Sequence, residues 1–239
     1  MRRQIYIAVT FVALALGWEL LPPPVPSIAE VLCALVRLWT EDALCAELAT
    51  SLVLNAEAIA WSTAITLVFA YASVIPAIRP LVAALSKLRF TGMVGWGFVL
   101  ALAARDGHQL KVWMLVFGMT PFFVTAMASV VAEIPREQFD HARTLRLGHV
   151  RIWWEVVVRG TFDRMLETLR QNAAIGWMML TMVEGVARSE GGIGTLLLGA
   201  NKHLALDAVF ALIVVVLVVG IVQDYVLGRV RRVLCPYVR

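Results

Sequence analysis

Cysteine and charge are both scarce in this chain of 239 residues. The three cysteines, Cys33, Cys45 and Cys235, form no CxxC pair, and they are too few and scattered for a disulfide scaffold or a zinc site. Only 16% of the residues are charged, against about a quarter in soluble domains. The sequence also has no GxxxxGK[ST] or HExxH motif. We therefore expect no bound metal, no cofactor held by the chain itself and no enzyme activity of its own.

Apolar residues are correspondingly abundant in the sequence. They make up 60% of the sequence, the mean hydropathy is +0.79, and long apolar runs recur along the chain. Such runs suit lipid as the surrounding solvent. The pattern predicts a single all-α, polytopic membrane domain over residues 1–239, with about six transmembrane helices. These lie at residues 4–21, 52–75, 82–104, 112–132, 171–187 and 208–227.

The first apolar run has a second interpretation. Arg2 and Arg3 before a short apolar stretch are also typical of a secretory signal peptide. The proline-rich stretch Leu21–Pro26 follows without a convincing small-residue cleavage site. A retained first span is therefore the preferred interpretation.

The basic residues are distributed unevenly between the connections. Sixteen of the 21 lysines and arginines fall in the two terminal tails and in the connections between spans two and three and spans four and five. Lysine and arginine mark the cytoplasmic side of a membrane protein. We therefore expect both termini and the long fourth connection in the cytoplasm. The same distribution accounts for the net charge of +4 without a nucleic acid partner.

An amphipathic helix is predicted at residues 27–40. Ser27 and Glu30 have the spacing of a capping box, and apolar residues follow at helical intervals: Ile28, Val31, Leu32, Leu35 and Trp39. The helix either lies in the outer membrane interface or packs flat on the spans. Cys33 and Cys45 belong to this outer segment, where a disulfide and two unpaired thiols both remain open.

The long connection at residues 133–170 is charged and patterned. Pro135 suits the start of a first helix, Phe139, Ala142 and Leu145 continue it, and Gly148 suits a stop or bend. A second helix carries Ile152, Trp153, Val156 and Val157 on one side. The segment therefore predicts two short amphipathic helices. A hairpin on the membrane surface without a protein partner is the alternative, because seven basic residues favour anionic headgroups.

Two stretches of this connection resemble a known family. Ile134-Pro-Arg-Glu-Gln-Phe-Asp-His-Ala-Arg-Thr-Leu145 and Arg151-Ile-Trp-Trp-Glu-Val-Val-Val158 are similar to the EAA loop of ABC importer permeases, in the branch for nitrate, sulfonate, taurine and bicarbonate. Phe117–Phe123 and Gly192–Gly194 resemble that family's fourth span and the turn after its fifth. The resemblance implies the type I importer permease fold, with cytoplasmic coupling helices that dock on an ATPase subunit. The implied coupling residues are Phe139, Asp140, His141, Ala142, Arg143, Thr144, Leu145 and Gly148.

The sequence departs from the family pattern at three places. Arg146 stands where the family has a glycine after Thr-Leu, and Val158-Arg159 replaces a Leu-Pro pair. The stretch Leu88–Val94 lacks the prolines expected there. These differences leave open whether the chain pairs with itself or with a second, more typical permease.

Charged and polar residues within the fifth span are candidates for the translocation pathway. An ionisable group at membrane depth is costly and usually pairs or lines a cavity. We consider Glu184 for the pathway, with a hydrogen bond to a neighbouring helix or a place at the outer interface as alternatives. Asn172, Trp177 and Met178 are further pathway candidates, although their helical spacing favours ordinary helix packing over a pathway role for Trp177 and Met178.

The resemblance implies a permease subunit in a bacterial inner membrane. Its expected partners are two ABC ATPase subunits that hold ATP and Mg²⁺, a second permease subunit, a soluble substrate-binding protein and the lipid bilayer. The expected substrate is a small polar or anionic solute. Two other functions stay open: a secondary transporter coupled to protons through Glu184 or Glu57, and a membrane scaffold that recruits a cytoplasmic partner.

Overall fold

A computed structural model describes residues 17–19, 22, 24–40, 44–187 and 191–236. Throughout these residues the regular structure is helical and no strand occurs, which confirms the all-α prediction. The predicted first span at residues 4–21 lies almost entirely outside the described residues.

Helix α1, Ile28–Thr40, begins with the predicted capping box. The backbone N–H of Ser27 donates to the Glu30 carboxylate at 2.8 Å, and the N–H of Glu30 donates to Ser27 Oγ at 3.3 Å. The side of α1 that is buried centres on Ala34 and Leu38, whereas Leu32 and Trp39 are exposed. α1 packs along the last long helix, so its buried side is covered by the chain itself.

Three helices of the described chain are long and apolar enough to cross a membrane. They are α2 (Leu44–Ala72), α5 (Gly107–Ala132) and α10 (Leu206–Leu234). The predicted count of six spans is therefore not confirmed. α10 is the most apolar of the three and the least buried within the chain, as expected of a helix that faces lipid.

Residues 82–104 do not form the single helix that their apolar run predicts. They divide into the end of α3 (Arg79–Lys87), a 3₁₀ turn at Leu88–Phe90 and α4 (Met93–Ala103). The backbone of Thr91 and Gly92 is extended, with ψ near 130°, and this interrupts the helical ladder. Another 3₁₀ turn, Pro76–Ile78, separates α3 from α2.

The long connection is shorter than predicted. It contains α6 (Arg136–Thr144) and α7 (His149–Ile152), and α7 continues into a π-helical segment at Trp153–Arg159. Helix α8 then begins at Phe162 and ends at Val186, so the predicted boundary at residue 170 was too late. Two ion pairs lie along this charged part of α8, where Arg164 contacts Glu133 at 3.0 Å and Arg170 contacts Asp224 at 2.9 Å.

Helix α5 lies at the centre of the bundle. It packs against α2, α3, α4 and α8, while α10 packs against α1, α8 and the short helix α9 (Ile193–Lys202). The first residues of α2 and α5 and the last turns of α8 meet at one end of the bundle, which we call the clamp end. The last residues of α2 and α5 and the first turn of α8 meet α6 and α7 at the other, which we call the loop end.

Candidate functional site

At the loop end, helix α6 ends in a turn that normally requires glycine. Leu147 N–H donates to the Ala142 carbonyl at 3.4 Å and Arg146 N–H to the Arg143 carbonyl at 2.9 Å, which is the Schellman pattern of a helix C-terminus. Arg146 occupies the left-handed position of that turn with φ of 54°. The backbone therefore has the shape that suits the family's glycine, although the residue is arginine.

This turn corrects the prediction for Gly148. The first loop helix stops at Thr144, and the chain reverses at Arg146 rather than at Gly148. Gly148 has an ordinary φ of −66° and immediately precedes α7 as its N-cap residue. The physical reason is that the left-handed residue of a Schellman turn follows directly after the helix's last carbonyls.

One side of the loop helices packs on the bundle. Ala142 is buried, with 4% of its surface exposed, and Phe139 is half-buried against the cluster that contains Tyr71 and Met127. Trp153 Nε1 donates to the Tyr71 carbonyl at 3.1 Å, and the two rings meet edge to face at 6.3 Å. Ala142 and Phe139 therefore hold the loop helices against their own chain.

The opposite side of the loop helices is exposed. Among the predicted coupling residues, Asp140 and Arg143 form an ion pair at 2.8 Å, and His141, Thr144, Leu145 and Gly148 also face solvent. Val150 and Trp154, which are 80% and 51% exposed, flank a surface cavity of about 700 Å³. Exposed apolar side chains among charged ones are typical of a surface that meets a protein partner.

At the clamp end, Glu184 is fully buried, and both of its carboxylate oxygens accept hydrogen bonds. Its carboxylate accepts a hydrogen bond from Ser51 Oγ of α2 at 2.6 Å and another from the Gly194 backbone N–H at 2.8 Å. Ser51 Oγ in turn accepts from the Ile193 backbone N–H at 2.9 Å. Glu184 thus makes the hydrogen bonds to neighbouring elements that the structural alternative described.

Two more side chains complete this arrangement. The Glu47 carboxylate accepts from the Gly192 backbone N–H, and the buried Lys111 ammonium donates to the Gly191 carbonyl at 2.8 Å and interacts electrostatically with Glu184. We call Glu47, Ser51, Lys111 and Glu184 the polar clamp. The polar clamp accepts hydrogen bonds from the backbone N–H groups at the start of α9, which have no carbonyl of a preceding helical turn as a partner.

Sequence reasoning missed Glu47, Ser51 and Lys111. Glu47 and Ser51 are four residues apart and therefore share one face of α2, and Lys111 directly precedes a long apolar run. A polar face on one helix and a lone lysine at the start of another were the available signals. Their convergence on residues 191–194 depends on packing between distant parts of the chain.

The other pathway candidates do not gather around Glu184. Trp177 and Met178 line a groove of about 520 Å³ between α8 and α10. The indole N–H of Trp177 donates to the Val216 carbonyl at 2.8 Å, and Met178 is 67% exposed. Asn172 is buried on α8, and its side-chain oxygen has no hydrogen-bond partner among the described residues. The structure thus brings together two of the four candidates.

The outer cysteines are separate in the structure. Cys33 on α1 and Cys45 on α2 both carry exposed free thiols. This is the second of the two states that the sequence left open.

A family model described as "Binding-protein-dependent transport system inner membrane component" matches residues 96–232. In sequence, the chain is similar to the taurine transport system permease protein TauC of Escherichia coli K12, with 26% identity over 128 residues. That match covers 54% of this chain and 45% of TauC, so the chain spans less than half of this relative's length.

Solved structures share the fold over most of the chain. A chain of the inward-facing MetNI methionine ABC transporter matches with a TM-score of 0.63 and 15% identity, covering 85% of this chain and 97% of the other. A chain of an amino acid ABC transporter with histidines matches with a TM-score of 0.64 and 12% identity, covering 84% and 96%. These likenesses establish a common fold.

Proposed function

Since the matching family model covers more than half of its residues, the chain belongs to the binding-protein-dependent transport system inner membrane components, and we propose that it is the membrane-spanning permease subunit of an ATP-driven importer. In this proposal the chain spans a bacterial inner membrane and forms a pathway with a second permease subunit. A soluble binding protein delivers a small polar or anionic solute. ATP and Mg²⁺ are held by two separate ATPase subunits.

The observation that carries the proposal is the two-sided character of the loop helices. Phe139, Ala142 and Trp153 fix α6 and α7 to the bundle, whereas Leu145, Val150 and Trp154 expose apolar surface beside charged residues. A hairpin that only lies on the membrane surface would not require these side chains to pack against the chain's own spans. The arrangement supports docking of an ATPase subunit on the exposed side.

The same contacts suggest how ATPase movement reaches the spans. When the two ATPase subunits close on ATP, they displace the docked loop helices. The Trp153–Tyr71 hydrogen bond and ring contact then transmit the displacement to the end of α2, and the Arg164–Glu133 ion pair transmits it between the ends of α8 and α5. The pathway alternates between inward and outward access as these helices tilt.

For the pathway itself, we propose the α8 face that carries Met178, with Asn172 and Trp177 on the same helix. Met178 is exposed in the single chain and lies in the groove with Trp177, which supports a contact with solute or with the second permease. Glu184 is different, because it is fully buried and its carboxylate already accepts hydrogen bonds from Ser51 and Gly194. We propose that Glu184 positions the turn before α9 instead of touching solute.

The orientation is testable through the native cysteines. We propose that the loop end, with its concentration of arginines, lies in the cytoplasm. Cys33 and Cys45 are exposed on α1 and the first turn of α2, at the clamp end, which would then face outward. A membrane-impermeant maleimide should label them in spheroplasts, and a Cys33→Ser/Cys45→Ser double variant should not be labelled. Labelling only after membrane rupture would reverse the assigned orientation.

Docking is tested by replacing one exposed apolar residue with aspartate at the loop end and one at the clamp end of the bundle. Val150→Asp should lower co-purification with the partner ATPase by about tenfold or more, because an interface core excludes an unpaired charge. Leu204→Asp, at a 79% exposed position in the turn between α9 and α10, is the matched control and should leave ATPase binding unchanged. Equal ATPase recovery with both variants would contradict docking at the loop helices.

The energy source needs a second measurement. Uptake by the assembled complex should stop when the partner ATPase carries an inactivating substitution, and it should persist when an uncoupler collapses the proton gradient while ATP is maintained. Uptake that instead follows the proton gradient would replace the importer proposal with a secondary transporter. A complex that binds an ATPase but transports no solute would favour a scaffold.

A further inference from the structure

A groove of about 670 Å³ opens at the loop end between α3 and α5, beside the start of α6. Its walls are largely apolar and include Val74, Val82, Ala128, Val131 and Ile134. The last turns of α5 and the residues that directly follow α2 contribute to it, and both helices are long and apolar enough to cross a membrane. The groove therefore lies where a span meets the membrane–water boundary.

Two guanidinium groups give this groove its charge. Arg79, at the start of α3, and Arg136, at the start of α6, both line it, and its lining contains no acidic residue. Neither arginine has a carboxylate within ion-pairing distance in the described part of the chain. Arg79 Nε donates to the Ser73 carbonyl at 3.2 Å, which fixes the arginine at the groove while its terminal nitrogens stay available.

This combination selects a particular kind of ligand. Guanidinium groups bind phosphate oxygens in bidentate geometry, and two such cations without an acidic partner attract a negative group. A free phosphate ion would satisfy the arginines but leave the apolar walls bare. A phospholipid brings a phosphate and acyl chains together, and anionic lipids collect at basic pockets on the cytoplasmic side of membrane proteins.

We propose that this groove binds one anionic phospholipid, with its phosphate between Arg79 and Arg136 and the upper part of an acyl chain against Val82 and Val131. Because Arg136 and Phe139 belong to α6, the bound lipid links the first loop helix to α3. The proposal requires that the chain lies in a membrane, and it is independent of which solute the assembly transports.

The test measures lipid retention by the assembled complex of the chain with its partner subunits. The complex is placed in nanodiscs of phosphatidylcholine with 20% phosphatidylglycerol, then released and weighed by native mass spectrometry. The wild type should retain phosphatidylglycerol. The double variant Arg79→Gln/Arg136→Gln should retain at least tenfold less of this lipid. Arg79→Lys/Arg136→Lys should retain an intermediate amount, since the charge remains but the bidentate geometry is lost.

A matched control removes the same charge elsewhere. Arg89 and Arg229 are exposed arginines, each stacked over a neighbouring aromatic ring at 4.8 and 5.2 Å. Arg89→Gln/Arg229→Gln should retain lipid as the wild type does. Equal losses in both double variants would show general attraction of lipid to a basic surface and overturn the proposed site.

Two further outcomes would also overturn it. Displacement of the lipid by millimolar inorganic phosphate would identify a free-anion site. Absence of any retained lipid in the wild-type complex, with cross-links from an Arg136→Cys variant to an ATPase or to the chain's own first residues, would show that protein fills the groove.

Discussion

The two ends of the bundle differ in whether their polar side chains are buried or exposed. At the clamp end, Glu184, Ser51 and Lys111 are buried, and their hydrogen bonds go to the turn at residues 191–194 of the same chain. At the loop end, Asp140 and Arg143 pair on the surface, and Val150 and Trp154 stay exposed. One end is completed by a single chain, whereas the other presents surface that a single chain leaves uncovered.

Substitutions at the clamp end should therefore affect stability, whereas substitutions at the loop end should affect assembly. Removing one member of a buried polar cluster leaves its partners without hydrogen bonds, which costs far more than removing an exposed group. Exposed ion pairs contribute little, because water already solvates both charges. Substitutions of equal chemistry at the two ends should therefore give very unequal losses of stability.

The largest effect is expected from Glu184→Gln. The amide removes one of the two carboxylates of the polar clamp, which also holds the Lys111 charge, and weakens acceptance from Ser51 and Gly194, so the free energy of unfolding should fall by about 2–4 kcal/mol. Thermal unfolding in detergent measures the change. The control is Glu155→Gln, which removes an exposed ion pair with Arg159 and should leave stability nearly unchanged. Normal stability of Glu184→Gln with lost transport would return Glu184 to the pathway.

Gly192→Ala should have the next largest effect. Gly192 has φ of 110°, where a side chain is strained, and an added Cβ would collide with the Glu184 carboxylate. A loss of about 1–3 kcal/mol is expected. Gly199→Ala lies within α9 with open space around the new methyl group, so it should be neutral or slightly stabilising. Equal unfolding temperatures for the two variants would show that the turn is not held as described.

At the loop end, Arg146→Gly should stabilise the chain. Arginine at φ of 54° pays a steric cost that glycine avoids, and relief of this cost is worth about 1 kcal/mol. Glycine also raises the conformational entropy of the unfolded chain, which offsets part of this stabilisation. Amide hydrogen exchange over residues 142–147 reports the change locally. Faster exchange in the variant would mean that the arginine side chain, not the backbone turn, holds this segment.

The smallest effect is expected from Asp140→Asn. Both partners of the Asp140–Arg143 pair are about two-thirds exposed, so the unfolding free energy should change by less than about 1 kcal/mol. Thermal unfolding of the isolated chain and of the ATPase-bound complex should be compared. A change confined to the complex supports a role in docking, whereas a large change in the isolated chain would remove the contrast between the two ends.

Local patterns in the sequence predicted much of this structure. The apolar runs indicated an all-α membrane protein, the Ser27–Glu30 spacing indicated the start of α1, and the family-like stretch from Ile134 placed two short helices in the fourth connection. Each of these features depends on residues that are close in sequence. The EAA-like loop could be predicted for the same reason.

The features that sequence reasoning missed depend on distant contacts or on a single backbone torsion. Ser51 and Glu184 meet across 133 positions, so neither helix indicates the pair by itself. The early start of α8 was missed because residues 162–170 are charged and lie outside the apolar run, although Met, Leu, Glu and Arg in this stretch are good helix formers. The break at Thr91 and Gly92 and the left-handed Arg146 follow from packing and from the turn, since a non-glycine residue gives no local signal for positive φ.

Helix α2 belongs to both ends at once. Glu47 and Ser51 near its start bind the turn before α9, and Tyr71 near its end receives the Trp153 indole. Its 29 residues give an uninterrupted length of about 43 Å at 1.5 Å per residue, with no proline inside it. Because contacts hold this helix at both ends, a tilt that begins at the loop end would move the turn at residues 191–194 at the clamp end.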